Sequence, residues 1–272
     1  MTPQKRKPRT RPVPNVTGID AYAPAEIAVL IERAGVAKAR MPLDKLLMLG
    51  LLAGAFIAFG AAFYTLAITG STLGEGPTRL LGGAAFSLGL VLVVVAGAEL
   101  FTGNNLIVMA WADGDVSGGE LLRNWVASYI SNAIGAMVIA LLVFYSGAFD
   151  SGDLRLMAIV IAETKMNLAP IDAFMRGVLC NALVCLAVWL SYASHRVSGK
   201  ILAIMLPVTA FVALGFEHSV ANFYLIPLGI MQGAAGGTVS FIANIVPVTL
   251  GNIVGGAGCV ALVYWVIYRR KD

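Results

Sequence analysis

Glu217 and His218 stand side by side in GFEHSVANF (215–223), near the middle of an apolar segment running from 201 to 231. A helix facing lipid carries nothing ionisable at that depth, since such a group costs about 2.5–3.5 kcal/mol on insertion scales. A carboxylate and an imidazole kept there must face protein or water. GAELFTGN (97–104) aligns with this stretch at an offset of 118: Gly97 with Gly215, Glu99 with Glu217, Asn104 with Asn222. Leu100 takes the place of His218, so the imidazole has no counterpart. It is the side chain best suited to moving a proton near neutral pH. The two glutamates hold equivalent places and read as structural groups, accepting backbone N–H bonds where helices break.

A second pair of stretches repeats this relation. NWVASYISNAIGA from Asn124 aligns with NIVPVTLGNIVGG from Asn244, pairing Asn132 with Asn252 and Gly135 with Gly255 at an offset of 120. Two matches in the same order at nearly one offset indicate duplication. The first and fourth spans show no convincing match. Each unit would hold three spans, and an odd number forces the two copies into opposite orientations. In such inverted repeats the working site lies at the midplane, where helices are interrupted. Glycine at Gly97 and Gly215 loosens the helix, and Asn104, Asn132, Asn222 and Asn252 can satisfy the backbone groups this frees. The predicted breaks fall near 100–105 and 215–222, with half-helix N-termini aimed at a common centre that favours an anion.

The elements that must hold these residues follow from composition. The chain is 58% hydrophobic and 12% charged, against about 25% charged in soluble domains, which places it in a membrane. Six apolar segments are long enough to span: 46–69, 80–110, 124–146, 173–193, 201–231 and 241–267. The expected fold is an all-α membrane protein whose six helices form an inverted 3+3 repeat, with the second and fifth broken. Residues 1–23 read as a disordered basic tail without a signal peptide, 24–45 as an interfacial helix, 46–268 as the six-span membrane domain and 269–272 as a short C-terminus. Lys and Arg gather before the first span, at Arg196 and Lys200, and at Arg269–Lys271, so both termini are expected in the cytoplasm. A net charge of +4 so placed does not point to nucleic acid. Cys180, Cys185 and Cys259 lack metal-ligand spacing, and no metal or cofactor is expected. His195 and His218 are the only histidines, too few for a catalytic constellation, so the chain does not read as an enzyme.

At AELFTGNN (98–105), FEHSVANFYLIPLGI (216–230) and NIVPVTLGNIVGG (244–256) the chain resembles the formate/nitrite transporter family, over roughly residues 25–268. The resemblance implies an aquaporin-like protomer, a homopentamer with one pore per protomer, and the inner membrane of a bacterium or archaeon. Carried over motif by motif, it implies a central pair of His218 and Thr102. It also implies a polar pore position at Asn181, a basic vestibule residue at Lys165, and apolar constrictions at Phe86, Leu90, Leu100, Phe101, Val184 and Phe211. The implied substrate is the monovalent anion of a small weak acid. Formate is favoured by IPLGI and NIVPVTLGN. Nitrite or hydrosulfide is the alternative, because LFTGNN is shared with those branches and the 232–240 loop is short. A neutral-solute channel of the aquaporin type is the rival from another class, though the NPA signature is absent.

A bare charge between apolar collars costs several kcal/mol even after relaxation, and the neutral acid far less. The expected mechanism draws the anion to Lys165 and discharges it near His218 and Thr102. Whether the ring relays the proton, the local field alone suffices, or the anion passes charged stays open at this stage.

Overall fold

The computed structural model describes residues 21–270. Eleven helical elements carry the argument: α1 (Pro24–Ala39), α2 (Leu43–Ile68), α3 (Glu75–Gly97), α4 (Phe101–Asn104), α5 (Val108–Ala112), α6 (Gly118–Tyr145), α7 (Gly152–Met166), α8 (Pro170–Ala193), α9 (Val197–Ala213), α10 (Ser219–Gln232) and α11 (Thr238–Tyr268). A 3₁₀ turn, Asn105–Ile107, links α4 to α5. The last turns of α3 (Leu92–Gly97) and a long stretch of α11 (Val254–Leu262) are π-helical. Two calls fall partly outside the described residues: the tail, of which 1–20 are not described, and the C-terminus, of which 271–272 are not.

Among the described residues, five helices are long and apolar enough to cross a membrane: α2, α3, α6, α8 and α11. The sixth apolar segment is divided. The chain leaves α9 at Ala213 and re-enters helix at Ser219, so neither α9 nor α10 is long enough alone. α3 and α4 are parted in the same way by residues 98–100. Both partings use one device. Gly97 and Gly215 adopt φ +84° and +71°, a region open to glycine at little cost. The residue after each donates back to a carbonyl five positions earlier, Ala98 to Val93 at 2.9 Å and Phe216 to Phe211 at 3.0 Å.

Packing pairs α2 with α6 and α3, and α8 with α11 and α9, while α3 lies against α9. The helices approach closely because small residues face one another. A Cβ on Gly135 would lie 2.1 Å from the Leu51 carbonyl oxygen, and one on Gly255 would lie 2.0 Å from that of Val178. Gly135→Ala and Gly255→Ala should each push a helix pair apart and cost about 1–3 kcal/mol. A lowered thermal midpoint of the detergent-solubilised protein, by several degrees for each, is the expected readout.

Candidate functional site

Two polar clusters flank the partings, and they match bond for bond. In the first, Lys38 of α1 donates Nζ–H to Glu99 Oε1 at 2.6 Å, and Asn104 Nδ2 donates to Glu99 Oε2 at 2.9 Å and to Asn124 Oδ1 at 3.0 Å. Asn124 Nδ2 returns to the Lys38 carbonyl at 3.0 Å. In the second, Lys165 of α7 donates to Glu217 Oε1 at 2.8 Å, and Asn222 Nδ2 donates to Glu217 Oε2 at 2.7 Å and to Asn244 Oδ1 at 2.8 Å. Asn244 Nδ2 returns to the Lys165 carbonyl at 2.9 Å.

The glutamates were expected to accept backbone N–H groups, and here the structure differs. Each carboxylate is taken by a lysine and an asparagine. The freed backbone groups go to a different pair. Asn132 accepts from Phe101 N–H at 2.8 Å and donates to the carbonyls of Gly50 and Glu99 at 2.8 and 2.9 Å. Asn252 accepts from Ser219 N–H and donates to the carbonyls of Gly177 and Glu217, all at 2.9 Å. An amide offers both a donor and an acceptor, whereas a carboxylate only accepts. Only the amide can therefore bridge the cut end of one helix to its neighbour.

Sequence reasoning missed Lys38. Its signal is an offset of 127, which also relates Gly50 to Gly177, and Leu49 to Arg176, whose carbonyls accept from Glu99 and Glu217 N–H at 3.2 and 3.3 Å. The two clusters are not identical. Lys38 reaches a second acceptor, Asn104 Oδ1 at 3.2 Å, while the equivalent Asn222 Oδ1 has no partner.

Between the clusters lie His218 and Thr102, brought together from opposite halves of the chain with Nε2 and Oγ1 3.0 Å apart. His218 is 3% exposed and Thr102 fully buried. His218 caps α10, its Nδ1 accepting from Ala221 N–H at 3.1 Å. An acceptor Nδ1 places the neutral ring's proton on Nε2, where it donates to Thr102 Oγ1. The Thr102 hydroxyl proton is then free to serve a third group. The Thr102 carbonyl is fixed by three donors: Asn105 Nδ2 and Asn181 Nδ2, each at 3.2 Å, and Cys185 Sγ at 3.4 Å. Asn181, expected at the pore wall, is fully buried and spans the halves by also donating to the Asn252 carbonyl at 2.7 Å.

The apolar residues named for constrictions are all buried. Phe86 meets Phe211 edge to face with ring centroids 5.7 Å apart, and Phe211 stacks on His218 at 6.1 Å. Leu90, Leu100 and Val184 share their cluster, while Phe101 turns to Tyr129 at 4.8 Å.

A family model described as formate/nitrite transporter matches residues 25–266. The formate channel FocA of Escherichia coli strain K12 is 41% identical, with 93% of this chain and 96% of that protein covered. A probable formate transporter of Methanothermobacter thermautotrophicus is 41% identical over 93% of this chain and all of its own length. A solved structure described as a pentameric formate channel with formate bound superposes with a TM-score of 0.78 at 40% identity, covering 84% of this chain and 98% of that one.

Proposed function

We propose that this chain, which belongs to the formate/nitrite transporter family, is a channel for formate and closely related weak-acid anions. The relatives are described as channels and transporters, and the chain is not an enzyme. It is an integral membrane protein. We read it as a homopentamer with a pore through each protomer, in the inner membrane of a bacterium or archaeon with both termini cytoplasmic. The pentameric, formate-bound relative supports that reading. The inverted repeat is part of it. One unit is α1–α6 and the other α7–α11, with α3–α5 and α9–α10 as the broken second and fifth spans. The paired bonds at offsets of 127, 118 and 120 support this, and they extend the repeat to α1 and α7.

The observation that carries the function is the His218–Thr102 pair between two lysine-bearing mouths. Lys38 and Lys165 draw the anion in. Each is neutralised by its glutamate, so the ion meets a hydrogen-bond donor rather than a deep electrostatic trap. Drawn from water between apolar residues, the anion gains proton affinity. It accepts the Thr102 hydroxyl proton, Thr102 takes the Nε2 proton, and Nδ1 takes one from water in exchange for the Ala221 bond. The neutral acid crosses the second collar and releases its proton to water beyond. The ring returns to its resting tautomer by taking a proton from water at Nε2 and releasing the one on Nδ1 to water, which restores the Ala221 bond.

Competitive flux of formate, nitrite, hydrosulfide and glycerol through purified protein in liposomes tests the assignment. Formate should dominate and glycerol should not pass. Faster nitrite or hydrosulfide would move the substrate within the family, and glycerol flux would favour a neutral-solute channel. Lys165→Ala should raise the formate half-saturation at its own mouth by about threefold or more, and Lys38→Ala likewise at the other, since each removes the donor and leaves a glutamate whose charge lowers the local anion concentration. Unchanged half-saturation in both variants would refute the role of the mouths.

A further inference from the structure

Lys38 and Lys165 hold equivalent places, but the helices that carry them are secured differently. Both helices bury apolar residues, Ile27, Ala28 and Ile31 on α1 among them, and α7 adds bonds from Arg155 and Glu163 to backbone groups; the difference lies at one matched position. Ile159 packs against a buried cluster of Ala162, Met166, Ile226 and Ala234. At the offset of 127, the position of Ile159 on α1 is Glu32. Glu32 is 6% exposed and bonds both Nε and Nη2 of Arg269, the latter at 2.8 Å. Arg269 is 7% exposed, sits just past the end of α11, and also faces Asp113 at 3.7 Å. The pair joins residues 237 apart in sequence, so the last residues of the channel helices grip the first.

From this asymmetry we infer that Arg269 is a positioning residue for the Lys38 mouth: its fork on Glu32 fixes α1 so that Lys38 reaches Glu99. The inference rests on the reading of Lys38 given above. The rotation of α1 about its axis depends on this pair because its other polar ties among the described residues lie at the ends: Tyr22 N–H donates to the Ala193 carbonyl at 2.8 Å just ahead of the helix, and the rest lie at its C-terminal end. There Arg40 bonds Glu120 at 3.0 Å and Arg123 donates to the carbonyl of Met41 at 2.9 Å. Glu32 lies six positions before Lys38, so a helix freed at Glu32 can roll about its axis between those end ties, and the roll swings the Lys38 ammonium away from Glu99 while its carbonyl stays on Asn124. A buried ion pair adds little net stability compared with apolar groups, but one charge left alone is strongly unfavourable. Arg269→Met should therefore disturb α1, and the doubly apolar Glu32→Met with Arg269→Met should seat it again. Among the described residues no ion pair holds the matching position on α7, whose Arg155 and Glu163 bond the Gln232 carbonyl and the Ala235 N–H instead, so the effect should be confined to one mouth.

The test is direction-resolved formate flux by the full chain in vesicles of one orientation. Arg269→Met should raise half-saturation from the Lys38 side by about three- to tenfold and leave the Lys165 side within about twofold. Arg269→Lys, which keeps the charge and loses the fork, should fall between and assemble normally. The double Met variant should return toward the parent value, and Lys38→Ala with Arg269→Met should be no worse than Lys38→Ala alone. Equal effects at both mouths, no effect at either, no recovery in the double Met variant, or additivity with Lys38→Ala would overturn the inference. A silent Lys38→Ala would instead remove the reading of that mouth, and this inference with it. A damaging Lys38→Ala beside a silent Arg269→Met would remove the latch alone.

Discussion

His218→Ala should lower proton-coupled formate uptake by at least about tenfold, the lower range of what a positioned proton-transfer group contributes being about a hundredfold. The ring does two things, and alanine removes both: it donates Nε2–H to Thr102 and accepts Ala221 N–H at the start of α10. His218→Asn separates them. The Asn Oδ1 is a good N-cap acceptor, so α10 and the fold should survive, while an amide cannot carry a proton between its two ends. Normal assembly with uptake as low as in the alanine variant, and no remaining pH dependence, is the expected result. Flux at the parent level with the parent pH profile in His218→Asn would show that the imidazole moves no proton.

Asn252→Ala should be the most damaging substitution for stability. It strands the carbonyls of Gly177 and Glu217 and the N–H of Ser219. A buried polar group without a partner costs about 1–3 kcal/mol, and no lipid can supply one. The sum is several kcal/mol, enough to lose the folded protein from detergent extracts in a size-exclusion profile. Asn132→Ala should behave alike, since it strands Gly50, Glu99 and Phe101. An Asn252→Ala protein that assembles and melts like the parent would mean that water or a neighbouring group replaces the amide.

Much of this arrangement was legible in the sequence because it rests on side chains. Asn124 and Asn244, Asn132 and Asn252, and Gly135 and Gly255 recur because each makes a bond or a close approach that few residues can replace. His218 drew attention because its repeat position holds Leu100. The equivalence of α1 and α2 with α7 and α8 is hidden for the opposite reason. Its shared bonds run through the carbonyls of Leu49, Arg176, Gly50 and Gly177, which constrain side-chain identity weakly. Only Lys38 and Lys165, and the glycine pair, leave a trace. Partners far apart in the chain were equally invisible. Nothing near Glu99 announces Lys38, and nothing near Glu32 announces Arg269. The carboxylates were given backbone partners because local bonding is all that a sequence displays. The fold instead brings a lysine to each from a helix more than fifty residues upstream.

The central claim is that the anion is discharged inside the protein and crosses as a neutral acid. Proton movement during formate uptake tests it most directly, measured with an internal pH dye in liposomes under an imposed potassium diffusion potential, with protein-free vesicles as the control for leak. The account predicts that one proton enters with each formate above that leak and that the rate is indifferent to the sign of the potential. Formate entry that accelerates under an inside-positive potential and leaves the internal pH unchanged would contradict it.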